Sequence, residues 1–296
     1  MKFASRRAAI ALMCASASII PLVDTLAKVL TDVASPFFLV AARYAIGAAL
    51  AAIIFAAPRR AFRSFKAAPK LHSSRSALLV AAMVSFYWAI SDLPVATALG
   101  GYFTGPVIAA VLSVLFLGEK LRITTIVAVL LGFAGAMLIL RPEDDIALGS
   151  ILALLSGVLS GFYLVLTRAA ALSVRADDNV LIQSVIGALL IAPIAALNLP
   201  TVDLQTVGLL LLMGGLSFVA HGLFLAAFRT LDVGTLAPLA YLEIAIAALL
   251  GWMLFDDPPS IITWSGIVCV VIAGMLITFA PTFDQDPDSV EKLTRL

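Results

Sequence analysis

Residues 93–120 read LPVATALGGYFTGPVIAAVLSVLFLGEK, and residues 231–257 read LDVGTLAPLAYLEIAIAALLGWMLFDD. Leu93-Pro94-Val95-Ala96-Thr97 lies over Leu231-Asp232-Val233-Gly234-Thr235 at a shift of 138 residues. Each stretch runs on through an apolar segment of about 20 residues, the length that crosses a bilayer as a helix, and stops at an acidic turn. Leu112 to Leu117, closed by Gly118-Glu119, matches Leu250 to Phe255, closed by Asp256-Asp257. Working outward, Phe86 lies over Phe224. Gly135-Ala136-Met137-Leu138-Ile139 lies over Gly274-Met275-Leu276-Ile277 with a slip of one residue, and Lys28 lies over Arg168. The chain is expected to hold two copies of one unit, residues 1–142 and 143–280, followed by a polar tail at 281–296.

Composition says where such a chain lives. Of 296 residues, 62% are hydrophobic and 12% are charged, about half the charge fraction of a soluble domain. The mean hydropathy is +1.10. A water-soluble core has no room for this much apolar surface, whereas lipid does. The expected fold is an all-α integral membrane protein with ten spans at about 8–29, 35–57, 76–93, 95–117, 122–140, 148–168, 179–197, 206–229, 233–255 and 260–280. The formal net charge of +1 argues against a nucleic-acid partner. Cys14 and Cys269 are too few for a disulfide framework or a zinc site.

Basic residues orient the spans. With the N-terminus in the cytoplasm, 16 of the 19 Lys and Arg fall inside, in the N-terminal flank, in the run Arg59 to Arg75, and at Lys120, Arg122, Arg168, Arg175, Arg229, Lys292 and Arg295. Arg141 alone falls outside, and Lys28 and Arg43 sit in spans. Both termini are expected to be cytoplasmic and the protein to sit in the cell inner membrane. Ser5-Arg6-Arg7 before an apolar run has the look of a secretory signal. The expectation is a cytoplasmic flank of the first span, because removing it would break both the even span count and the repeat. Five spans per copy is an odd number, so the second copy enters the bilayer upside down. Inverted repeats of this kind recur in secondary transporters, where two halves rock about a site between them.

The stretch from Leu93-Pro94-Val95-Ala96 through Leu115-Phe116-Leu117-Gly118-Glu119-Lys120-Leu121-Arg122 into Gly132-Phe133-Ala134-Gly135 resembles the EamA repeat of the drug/metabolite transporter superfamily. Arg43 matches an arginine common in the second span of that family, and Asp24-Thr25-Leu26-Ala27-Lys28 resembles the end of the first span in a subset of it. The second copy departs from the pattern, with Asp256-Asp257-Pro258-Pro259 in place of Gly-Glu-Lys-Leu. In an inverted copy that turn is extracytoplasmic, where loss of the lysine is what the positive-inside bias predicts. The resemblance implies a ten-helix carrier of a small organic metabolite, such as an amino acid, a riboflavin-like vitamin or an S-adenosylmethionine-like solute. The alternatives are a passive channel or facilitator and a multidrug exporter of the same superfamily.

Ionisable groups inside the bilayer are costly and tend to be functional. They are Asp24, Lys28, Arg43, His221 and Glu243. Glu243, eleven residues into the ninth span, is the leading candidate for a substrate-amine or proton site. Its alternative is a carboxyl held for packing. His221 shares a helical face with Gly214, Ser217, Phe218, Phe224, Leu225 and Phe228, either as a titrating group or as a neutral ring bonded to a hydroxyl or carbonyl. Asp24 and Lys28 are four apart and face each other on a helix, as a rim ion pair or a gate. Arg43 lacks a partner on its own helix, and Asp24 is the cross-helix candidate.

Ser160 and Tyr163 on span six, Tyr87 and Trp88 on span three, Tyr102 and Thr104 on span four, and Tyr241 on span nine supply hydroxyls and rings for an amphipathic solute. Each taken alone is equally explained by interhelical bonding and packing. Gly101-xxx-Gly105 and Gly157-xxx-Gly161 permit close helix approach, and Pro21, Pro106, Pro193 and Pro238 interrupt spans. No P-loop, HExxH or Cys/His cluster is present, so neither an enzyme nor a cofactor is expected. Protons are the candidate coupling ion, a small solute and the lipid bilayer the partners, and the assembly a monomer or a homodimer.

Overall fold

The computed structural model describes residues 5–55, 58–117, 123–140, 148–201, 203–231, 233–255 and 260–279. Every element in that set is a helix. In chain order they are α1 (Arg6–Leu30), α2 (Pro36–Phe55), α3 (Pro58–Ala67), α4 (Pro69–Asp92), α5 (Val95–Tyr102), α6 (Thr104–Leu117), α7 (Ile123–Leu140), α8 (Leu148–Ser173), α9 (Ala176–Ala195), α10 (Leu204–Phe228), α11 (Val233–Ala240), α12 (Leu242–Phe255) and α13 (Ile261–Phe279). Seven stretches, with α5 and α6 counted as one, are long and apolar enough to cross a membrane, and shorter apolar helices lie at Ile123–Leu138, Leu242–Leu254 and Ile261–Ala273. Helix is the form that satisfies every backbone N–H and C=O within one segment where lipid offers no partner. The turns at 118–122, 141–147 and 256–259 and the tail expected at 281–296 lie outside the described residues.

Local chemistry sets several helix ends. Ser5 accepts a hydrogen bond from the Ala8 amide at the start of α1. At the start of α10, Asp203 accepts from the Thr206 amide at 2.8 Å. These bonds to Thr206 hold the Asp203 carboxyl below the usual carboxylate range.

The structure adds one element and changes one expectation. The basic connection after span two is partly helical. It contains α3, whose Phe62 is exposed beneath Lys66, 4.9 Å from the ring centre. Span three, expected from residue 76, begins at Pro69, so Arg75 is not a surface marker of the cytoplasm but a fully buried side chain of α4.

The helices pair across the chain. α1 packs on α10 and α4 on α8; α2 packs on α9, α7 on α13 and α6 on α8. Each pairing joins a helix before residue 141 to one after residue 147, so the core is an interface between the two halves of the chain. Directions follow from individual contacts. Gly47 lies against Ser184 and Gly187 against Tyr44, so α2 and α9 are antiparallel. Gly149 at the start of α8 lies against Asp92 and Leu93 at the end of α4, so these two are antiparallel as well. The two GxxxG motifs face one another. A Cβ at Gly101 would sit 2.6 Å from the Ala153 Cβ, and one at Gly105 would sit 2.8 Å from the Gly157 carbonyl oxygen. That crossing lets the backbones of α5 and α6 approach α8 closely at the glycines.

Candidate functional site

The expected continuous spans at 95–117 and 233–255 are both broken. α5 gives way to α6 at Phe103, and α11 to α12 at Tyr241. Pro106 follows the first break by three residues and Pro238 precedes the second by three. Pro106 has no N–H to offer the Tyr102 carbonyl four residues back, which opens the ladder at the first break; the bond Pro238 lacks is to Gly234, at the far end of α11. The two breaks meet: the Tyr241 hydroxyl donates to the Phe103 carbonyl at 3.2 Å, and the rings lie 5.2 Å apart. The Tyr241 ring rests on Gly132 of α7, where any Cβ would collide with it.

Beside this junction lies a small cavity of about 60 Å³. It has room for a few waters, each of which needs roughly 10–15 Å³ of this kind of volume. Asp24 of α1, Arg43 of α2, Tyr102 before the first break, Ser160 and Tyr163 of α8, His221 of α10 and Glu243 of α12 line it, together with Met83, Phe86, Phe103 and Phe224. Seven of the twelve residues expected at a site are thus brought together. Glu243 is not mid-helix, as a continuous span would have it, but stands in the first turn of α12, just past the break. Asp24, Arg43 and Glu243 lie within electrostatic reach of one another. Asp24 and Glu243 are 2% and 5% exposed, so solvent does little to screen them.

The remaining candidates take other places. Tyr87 stands behind Arg43, whose Nη1 donates to the Tyr87 hydroxyl at 3.0 Å and contacts Met83 Sδ. This fixes the guanidinium toward the cavity. Tyr241 is buried at the junction. Thr104 donates to the Gly101 carbonyl within its own turn. Trp88 is partly exposed and packs edge-on against Phe37, away from the cavity. Lys28 does not pair with Asp24. Its Nζ donates to the carbonyls of Ile90 (2.6 Å) and Leu93 (3.1 Å), with Ser91 at 3.4 Å. The reason is that the open carbonyls at the end of α4 offer a cation several acceptors and the favourable end of the helix dipole. His221 and the Tyr163 hydroxyl are hydrogen-bonded at 3.3 Å, and their rings stack with Phe224. Among the described residues no ion pair joins Arg43 to Asp24. The two groups face a common space instead.

A second, smaller cavity of about 20 Å³ adjoins the first through Arg43, Leu79 and His221, and adds Tyr44, Ser184 and Ser217. Sequence reasoning did not single out Tyr44 or Ser184.

A family profile described as the EamA-like transporter family matches residues 7–141 and again 147–279. The chain belongs to the EamA-like transporter family. It is accordingly a membrane transporter and not an enzyme. An S-adenosylmethionine uptake transporter of Rickettsia bellii is 26% identical over 213 residues, covering 72% of this chain and 73% of the relative. A riboflavin transporter of Brucella anthropi is 27% identical over 216 residues, covering 70% and 75%. A solved crystal structure, 20% identical, superposes with a TM-score of 0.74 over 94% of this chain and 97% of its own. At that identity it speaks for the fold alone.

Proposed function

We propose that this transporter is a secondary carrier that moves a small organic metabolite by alternating access. The reading takes ten crossings: α1, α2, α4, α5–α6, α7, and then α8, α9, α10, α11–α12, α13. They form two five-helix units of opposite orientation, with both termini in the cytoplasm and the protein in the cell inner membrane. Two matches to one family profile and the pairing of helices across the halves support this arrangement. The observation that carries the carrier reading is the meeting of two broken helices beside a cavity lined by Asp24, Arg43 and Glu243. Half-helices at mid-depth form the solute and ion sites of inverted-repeat transporters.

Two carboxyls, one guanidinium and several rings suit a zwitterionic or cationic solute with an aromatic part. The relatives' solutes, S-adenosylmethionine and riboflavin, set the size class. The cavity as it stands is far smaller than the ~300–1,000 Å³ of an organic-solute pocket, which fits a closed stage of a cycle. Protons are the proposed coupling ion, with Glu243 and Asp24 as their acceptors.

Counterflow in proteoliposomes tests the reading. Radiolabelled S-adenosylmethionine and riboflavin are the first probes, followed by amino acids and nucleoside derivatives. Saturable uptake that an opposing solute accelerates is expected, and flux that never saturates would mean a channel. Glu243→Gln is expected to lower uptake at least tenfold while helicity and thermal stability remain. Uptake at the parental rate removes Glu243 from the site.

A further inference from the structure

One helical turn from the central cavity, α4 and α9 bury a polar cluster that the cavity does not use. His72, Arg75 and Ser76 share a face of α4, and Asn179 and Gln183 share a face of α9. All five are fully buried. Arg75 Nη2 donates to the Asn179 carbonyl at 3.4 Å. Among the described residues its Nε and Nη1 make no hydrogen bond, and neither do the side-chain amides of Asn179 and Gln183, the Ser76 hydroxyl, either His72 nitrogen or the Tyr44 hydroxyl. The carboxylates at the head of α9, Asp177 and Asp178, do not answer Arg75, because Arg60 and Arg175 hold them. A buried guanidinium with no counter-charge among the described residues, beside amides and hydroxyls that find no partner there, is far from the ordinary state of a protein interior.

The donors belong to one chemistry. A guanidinium offers a planar fork matched to a carboxylate. The amide nitrogens of Asn179 and Gln183 and the Ser76 hydroxyl add neutral donors. One fixed positive charge balances a monoanion. A phosphate dianion would bring a second charge that nothing on these two faces neutralises. We propose that this cluster is an oxyanion station that takes the carboxylate of an organic solute, separate from the central cavity. Arg75 precedes the cavity residue Leu79 by four positions, a rise of about 6 Å along α4. α3 covers the station from outside: Phe65 packs against His72 with ring centres 6.4 Å apart, and Arg60 grips Asp178. The station opens when α3 lifts. That the carboxylate belongs to a transported solute rests on the carrier reading above; that a carboxylate binds does not.

The test is binding to the purified protein in lipid nanodiscs, read as the shift of the thermal midpoint at matched ionic strength. Probes are N-acetylglycine, acetate, inorganic phosphate and chloride. A saturable upward shift with the carboxylates is expected. Arg75→Met is expected to weaken the apparent affinity about tenfold or more, Arg75→Lys less because it keeps the charge without the fork, and Gln183→Leu about threefold. No carboxylate response in the parent protein overturns the proposal. A response that survives Arg75→Met unchanged does so too, as does saturable binding of phosphate or chloride without carboxylate. Should Arg75→Met fail to fold, unchanged affinity in both Asn179→Leu and Gln183→Leu overturns it equally. Because the readout is binding and not flux, a failed uptake assay leaves the station standing, and a failed titration leaves the carrier reading standing.

Discussion

The two ends of the helix bundle are closed by unequal means. At the end where α4 finishes, Lys28 of α1 reaches the last carbonyls of that helix. At the end where α8 finishes, Arg168 donates to the Phe228 carbonyl of α10 at 2.6 Å. In the proposed repeat the two cations correspond, and so do their acceptors, Ile90 and Phe228, 138 residues apart. Because α8 starts beside the end of α4, the rise from Gly149 to Arg168 places the two caps about 28 Å apart along the helix axis. One device thus serves opposite ends. The surroundings differ. Lys28 is partly exposed, with Asp32 and Asp92 within electrostatic reach, and no ion pair closes that end among the described residues. The Arg168 end adds α3, where the Arg60 Nε–H is shared between the two carboxylate oxygens of Asp178 at 2.8 and 2.9 Å and Nη2 binds Asp177. The same kind of cap closes both ends, and α3 reinforces one of them.

If that difference is energetic, separating α3 from α9 has the largest effect. Arg60→Ala leaves Asp178, 3% exposed, without its partner, while the arginine itself is 40% exposed. A loss of about 1–2 kcal/mol is expected, read as a lower thermal midpoint and faster amide exchange in α3 and the first turn of α9. Exchange that does not change there would erase the contrast between the ends. Lys28→Met is expected to cost about 0.5–1 kcal/mol, with faster exchange confined to the end of α4. A larger cost than that of Arg60→Ala would invert the comparison. The smallest effect is expected from Asp203→Ala, at the start of α10 on the Lys28 side. Its carboxyl is held below the ordinary aspartate range in the fold, so its stabilisation is present above that range and fades as pH falls through the folded value. Parent and variant should melt apart at neutral pH and together in acid.

Much of this molecule is legible in its sequence, and the parts that are not share a cause. Hydropathy runs mark the apolar helices because lipid demands length and continuity. The same runs conceal the breaks at Phe103 and Tyr241, since a break satisfied by a neighbouring helix leaves no polar signature. Pro106 and Pro238 were the available signal, three residues to either side. Asp24, Arg43, Ser160, Tyr163, His221, Tyr102 and Glu243 were legible as a set because charge and hydroxyl in a span need a reason. Trp88 was not separable from them, because lipid-facing and core-facing surfaces are equally apolar. The sequence counts Arg75 among the surface charges, because orientation is read by counting arginines near span ends, and that count does not distinguish an exposed cation from one folded inward. Helix spacing alone pairs Lys28 with Asp24; the carbonyls that hold it come from a helix 62 residues on.

The hydroxyl of Tyr241 on the Phe103 carbonyl ties one half of the chain to the other at the two places where their helices are interrupted. Any motion that parts α5–α6 from α11–α12 has to break that bond. A single neutral hydrogen bond is worth about 1 kcal/mol net, which slows a separation by only about fivefold. Such a link keeps the two interruptions in register at rest and yields to thermal motion, so it acts as a latch between the halves and not as a lock.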